Sequence, residues 1–248
     1  LLMSVTKWLS RCALSGVVMF LLSAAAFAQE AVGAVESGVV DIPIIWWVAP
    51  IGSILALIFA FIFFKQVKNA NPGDEKMQEI AQYVTDGAYA YLKRQYKVVS
   101  VFFIVVCVLL FWMGQIGVQH KIVFVAFLTG GFFSGLCGFL GMKTATMASN
   151  RTTQGAKEGL NRGLTVAFRA GAVMGLVVVG FGLLDITMWF LILTKLAPAV
   201  IEGFHMSLVE VTVVMLTFGM GASSQALFAR VGGGIYTKAV SYTHLQPT

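Results

Sequence analysis

The sequence predicts an all-α fold, a polytopic transmembrane helical bundle of about five spans after a signal peptide. Three observations predict it. Only 11% of the 248 residues are charged and 58% are hydrophobic, whereas a soluble domain carries about 25% charged residues. Several apolar runs reach about 20 residues, the length that crosses a bilayer core as a helix. The basic residues sort into alternate inter-span segments, as they do when one side of a membrane collects them.

The sorting also disposes of a nucleic-acid partner. A net charge of +6 and a pI near 9.3 would suit one, but the cations are not gathered into one patch. Lys65, Lys68, Lys76, Lys93, Arg94 and Lys97 fall in one loop, and Lys143, Arg151, Lys157, Arg162 and Arg169 in another. Arg230 and Lys238 close the series, while the intervening loops hold only Lys121 and Lys195. Such alternation fixes orientation, with the basic loops on the cytoplasmic side. Cys12, Cys107 and Cys137 lie far apart in apolar runs, without disulfide or metal-ligand spacing, and read as buried small side chains.

Along the chain, Lys7 and Arg11 precede a short apolar run that ends in Ala26-Phe27-Ala28. A basic start, an apolar centre and an A-x-A end describe a secretory signal peptide over 1–28, an uncleaved first helix being the competing reading. The start Leu1-Leu2-Met3 is expected to include read-through ahead of Met3. Residues 29–43 are short and mildly acidic. The first clear span is 44–64, with Trp46 and Trp47 at its outer edge as interfacial anchors. Asn71-Pro72-Gly73-Asp74-Glu75 reads as a helix start with Asn71 as cap. The amphipathic helix it opens carries Met77, Ile80, Ala81, Val84, Ala88, Tyr91 and Leu92 on one face, and is expected to lie on the bundle at the cytoplasmic surface or on the membrane itself.

Spans at 98–116 and 122–142 form an antiparallel pair, the second holding a G-x-x-x-G at Gly131 and Gly135 that permits close helix approach. A basic, glycine-containing cytoplasmic stretch over 143–169 follows. The span at 170–193 carries a second such motif at Gly171 and Gly175. An outer loop with Pro198, Glu202 and His205 leads to the last span, 208–228.

Few residues have the makings of chemistry. Gly232-Gly233-Gly234 before Lys238 is not a phosphate-binding loop of the G-x-x-x-x-G-K form, because Thr237 stands where its glycine belongs. A lysine just inside the membrane is nonetheless a suitable point charge for an anionic phosphate ligand. Arg230 reads as a flanking cation; facing the bundle it would need a carboxylate, and Asp185 and Glu210 both lie near the outer ends of their spans. Ser223 and Ser224 have no base and read as packing residues. His120 and His205 read as solvated, and Asn150-Arg151-Thr152 lies on the side where glycosylation does not occur. Metal-assisted phosphoryl chemistry needs clustered carboxylates. Of the inner-side acids, Asp74, Glu75, Glu79 and Asp86 follow one helix and Glu158 stands alone.

Four stretches carry a family resemblance. They are IAQYVTDGAYAYLKRQY at 80–96, FFSGLCGFLGMKTATMASNRT at 132–152, GLNRGLTVAFRAGAVMGLVVVGFGLL at 159–184 and GMGASSQALFARVGGGIYTKA at 219–239. In content and order they resemble the membrane-bound, ion-translocating inorganic pyrophosphatases, from about Trp47 to Ala239. The resemblance implies a large helical pump, usually a homodimer, in a bacterial inner membrane. It would hydrolyse cytoplasmic magnesium pyrophosphate and drive protons or sodium ions outward, with Mg2+ and in some branches K+ as cofactors. By motif match, Lys238 corresponds to a substrate-binding lysine and Arg230 to the arginine of the ion-coupling gate.

After Ala239 the chain departs from the family, which continues into A-D-V-G-A-D and D-D-P-R-N-P. The expectation is that 29–239 is the front third of such a pump, that 240–248 is a foreign or frame-shifted tail, and that this chain by itself is inactive. The signal-like start and overall wording lean to the potassium-stimulated, sodium-pumping branch. A non-enzymatic multi-span transporter or scaffold subunit is the alternative, separated from the first by the coding sequence beyond Lys238.

Overall fold

The computed structural model describes residues 44–117, 119–200, 206–231 and 233. The segments read as a signal peptide (1–28), the exported stretch to 43 and the tail (240–248), together with Lys238 and His205, lie outside the described residues.

Every described element is helical. A 3-10 turn, Ile44–Trp47, opens helix α1, Val48–Lys68. Helices α2, Glu75–Gln115, and α3, Val123–Glu158, follow. Helix α4, Leu160–Leu191, runs on through a π-helical segment, Ile192–Leu196, and a last turn, Ala197–Val200. Helix α5 is Leu208–Arg230. Five of these stretches are long and apolar enough to cross a membrane, and each contains one of the apolar runs. Val101, Ile104, Val108 and Trp112 of α2 and Phe59 and Phe61 of α1 are exposed; a water-facing surface would not carry apolar side chains in such continuity.

Helix α3 is the centre of the bundle, packed against α2, α4 and α5, while α1 lies on α4. The buried residues of α2 (Leu92, Val99, Phe103, Leu110 and Gly114) fall on a single stripe, spaced as one face of a helix requires. Near the outer end, Trp189, Leu193, Val123, Ala126, Val211, Val214 and Phe218 form one apolar cluster. Phe103 and Phe127 meet at 4.8 Å further in.

Two expectations are corrected by helix continuity. The amphipathic helix before the second span is not a separate surface element, since α2 runs unbroken for 41 residues, about 60 Å against a hydrocarbon core of about 30 Å. The basic charges at Lys93, Arg94 and Lys97 mark a membrane edge without ending the helix. Likewise the stretch after the third span is helix on both sides of Gly159, whose φ of 155° and ψ of 150° belong to a region open essentially to glycine alone. There the α3 and α4 backbones close on each other: a Cβ on Gly155 would lie 3.1 Å from Gly163 Cα.

The helix start differs too. Asp74 is the N-cap of α2, with no side-chain cap bond. Asn71 instead accepts from Gly73 N–H at 3.0 Å, shaping the turn before the helix. Asn150 donates to the Pro72 carbonyl at 2.9 Å, so this asparagine ties the inner loop to α3. Of the two G-x-x-x-G motifs, Gly131 sits directly against the Phe103 ring, whereas Cβ atoms at Gly171 and Gly175 would meet nothing within 4 Å. The tightest crossing is one the motif search passed over. A Cβ on Gly130 would fall on the Phe218 carbonyl, and one on Gly221 on the Phe127 carbonyl, which sets α3 and α5 side by side.

Candidate functional site

The inner end of α5 is held from several directions. At its outer start a capping box operates: Ser207 Oγ accepts from Glu210 N–H at 3.3 Å, and Glu210 Oε2 accepts from Ser207 N–H at 2.8 Å. Two orphan donors of the first turn are thereby satisfied. The Gly130–Gly221 crossing then fixes the helix against α3, and Ser134 donates across it to the Ala222 carbonyl at 3.1 Å. One turn further, Gln225 is buried beside Gly135. The Phe228 ring lies 5.0 Å from Phe102 of α2.

Arg230 follows as the last residue of α5, with an exposed side chain. Among the described residues no carboxylate pairs with it. Asp74 is taken by Lys157 at 2.8 Å and Glu158 by Arg162. Asp86 accepts from Gln82 at 2.9 Å and Glu79 from the Tyr83 hydroxyl at 3.1 Å. A cation at a helix C-terminus is favoured by the dipole, so Arg230 is stable there without a partner.

Beside this end lies a cavity of about 420 Å³, enclosed by α2, α3, α4 and α5 and reached by Gly233. Tyr91, Gln95, Ser134, Cys137 and Gln225 contribute its polar lining. Tyr91 Oη and Gln95 Nε2 are buried without a hydrogen-bond partner among the described residues. The sequence reading placed Tyr91 on an apolar face and did not single out Gln95. The signal for Gln225 was present, an uncharged polar residue inside a membrane-length run.

Among the described residues no three His, Cys, Asp or Glu side chains are grouped as metal ligands. The acids of the inner side, spread along α2 and at the end of α3, do not fit the oxygen shell that Mg2+ requires. Asp185 lies at the opposite, outer end of the bundle, fully enclosed, and is no partner for Arg230. Ser224 donates to the Met220 carbonyl at 2.8 Å, a structural bond.

A bundle of membrane-length helices with most of its cations gathered at one end defines a multi-pass membrane protein. Within that class the chain belongs to the family described as inorganic H+ pyrophosphatase, whose model matches residues 54–242. It is 56% identical over 197 residues to the putative K+-stimulated pyrophosphate-energized sodium pump of Bacteroides thetaiotaomicron, a match covering 79% of this chain and 27% of that protein. It is 40% identical over 192 residues to the K+-insensitive pyrophosphate-energized proton pump 2 of Moorella thermoacetica, with 77% and 26% covered. The corresponding proton pump of Methanosarcina mazei is 33% identical over 191 residues, with 77% and 26% covered. The chain thus spans about a quarter of the length of the curated relatives it matches.

Proposed function

We propose that these helices are the amino-terminal part of a pump that couples cytoplasmic pyrophosphate hydrolysis to outward cation transport across a bacterial inner membrane. Sodium is the favoured ion, with protons the other possibility. What carries the reading is the uninterrupted family match from 54 to 242, which takes in the inner end of α5 with Arg230 and, beyond it, Lys238. Orientation agrees independently. The basic loops put that end on the cytoplasmic side, where pyrophosphate is found.

In this reading Lys238 binds magnesium pyrophosphate as a compact point charge. Arg230 belongs to the ion-coupling gate and pairs with carboxylates from another part of a longer, homodimeric protein. Those carboxylates would also hold Mg2+, for which the described residues offer no site. The name of the relative at 56% identity agrees with the leaning to sodium and K+ stimulation; the relative at 40% is named a K+-insensitive proton pump. The chain alone, without an acidic cluster, is expected to be inactive.

The test uses inverted vesicles containing a longer pump that carries this sequence. Lys238→Ala is expected to weaken the apparent affinity for magnesium pyrophosphate by about tenfold or more, as loss of a charged hydrogen bond of about 1.5–3 kcal/mol would. Unchanged affinity removes Lys238 from the substrate site. Sodium dependence of the flux, against collapse by a protonophore, identifies the ion.

A further inference from the structure

A groove of about 410 Å³ opens where α1, α3 and α4 meet. Leu57, Phe61 and Phe64 of α1 form one wall and Val173, Val177 and Phe181 of α4 the other, with Leu140 and Thr144 of α3 between. Ala60, Thr144 and Val173 are buried, whereas Phe61 on the rim is 68% exposed. The Thr144 hydroxyl donates to the Leu140 carbonyl at 2.8 Å, so that hydroxyl is spent and the groove is apolar along its length. It follows α1 for ~10 Å from Leu57 to Phe64. The charged residue lining it is Lys143, at the Phe64 end.

Three further cations come to that end. Lys68 stands four residues beyond Phe64 on α1, and Arg169 four residues before Val173 on α4. Each continues the row of its helix that lines the groove. Lys65 directly follows Phe64. Helix register brings the four together. Gly180 of α4 packs on Leu57 of α1, and Gly141 of α3 on Met174 of α4. Counted from these contacts, Lys65, Lys68 and Lys143 each lie within ~5 Å of the level of Arg169 along the bundle.

None of these four side chains is in an ion pair among the described residues. Asp74 and Glu158 are taken by Lys157 and Arg162. Glu75, Glu79 and Asp86 belong to α2, where Asp86 accepts from Gln82 and Glu79 from Tyr83. Helix α1 carries no acid. The acid of α4, Asp185, is ~24 Å from Arg169 along the axis.

An apolar channel ending in four unpaired cations suits an amphiphile with a negative head. Lysine and arginine stems lie along apolar surface and carry their charges to the membrane boundary, and basic pockets between membrane helices hold phosphate head groups. A free phosphate ion would leave the apolar length unused, and a zwitterionic lipid would bring a cation of its own. We propose that this groove binds an acidic phospholipid. One acyl chain lies between the α1 and α4 walls, and the phosphate is held by Lys65, Lys68, Lys143 and Arg169. The site is built from this chain's own helices and does not rest on the pyrophosphate reading.

Two measurements on the 248-residue chain test this. Native mass spectrometry after titration with phosphatidylglycerol or phosphatidylcholine reads affinity, and photo-crosslinking with a diazirine-tailed phosphatidylglycerol reads position. The acidic lipid is expected to bind about tenfold or more tightly than phosphatidylcholine, with crosslinks on the groove walls of α1 and α4. A cation near a membrane surface strengthens the attraction of acidic lipid by about fivefold. The double variant Lys68→Gln/Arg169→Gln should therefore weaken binding by about thirtyfold. Lys93→Gln/Arg94→Gln removes the same charge from α2 and should change it less than about threefold. Equal loss in the two variants would mean attraction by the whole basic end. Displacement by inorganic phosphate would mean a plain anion site, and crosslinks outside the groove a different lipid contact. Any of the three overturns the proposal. So would disappearance of the crosslinks in a longer pump carrying this sequence, which would give the groove to one of that protein's helices.

Discussion

Arg230 and Asp185 are two ionisable side chains of one bundle, neither in an ion pair among the described residues, and their surroundings differ. Arg230 ends α5 with its guanidinium exposed and the helix dipole in its favour. It remains available to a partner. Asp185 is fully buried on α4, beside Thr129 of α3. Enclosure, more than sequence neighbourhood, separates a cation that can switch partners from an acid sealed inside the bundle.

The comparison breaks most severely if the helix carrying Arg230 is displaced. Gly221→Leu would drive a side chain into the Phe127 carbonyl. Overpacking of that kind costs about 3 kcal/mol or more where backbone meets backbone. Thermal unfolding in detergent should show a lowered midpoint and loss of the cooperative transition; a wild-type melt would mean that the α3–α5 crossing does not position the inner end.

A smaller change sharpens the Asp185 side. Trp189→Phe removes the indole donor to Thr129 and should cost ~1 kcal/mol by equilibrium unfolding. Repeated in Asp185→Asn, the loss should differ, because the two side chains share Thr129; strictly additive losses would show that they do not. The smallest effect belongs to the exposed ion pair between the start of α2 and the end of α3. Lys157 pairs with Asp74 at 2.8 Å with both side chains more than half exposed, so Lys157→Ala should cost less than ~0.5 kcal/mol. A loss several times larger would give that ion pair an organising role in the α2–α3 hairpin.

The membrane spans were legible because a bilayer demands long apolar runs and sorted charges, and both are written in composition. Where the helices stop was not. Lys93, Arg94 and Lys97 signalled the edge of the lipid, yet nothing there breaks a helix, and α2 continues through them. Gly155, Gly159 and Gly163 look alike in sequence. Only the approach of two backbones decides that Gly159 is the hinge and the other two are the contact. The same holds for Gly171 and Gly175, which carry a packing motif but meet no neighbour, while Gly130 and Gly221 carry none and form the closest crossing.

At the site, Arg230 stood out by motif. Tyr91 and Gln95 were not readable as cavity residues, since their unpartnered atoms exist only where four helices diverge. Asp185 appeared in the sequence as an acid near a span end. Its burial beside Thr129, which also accepts from Trp189 Nε1, joins residues that no local pattern connects.

The most direct measurement is the ratio of ion flux to pyrophosphate hydrolysis in inverted vesicles holding a longer pump with these helices and Arg230→Ala. If Arg230 is the cation of the coupling gate, flux should fall at least as far as hydrolysis, by tenfold or more for the loss of a gate charge worth ~1.4 kcal/mol or more. Preserved flux at the wild-type ratio would contradict the account.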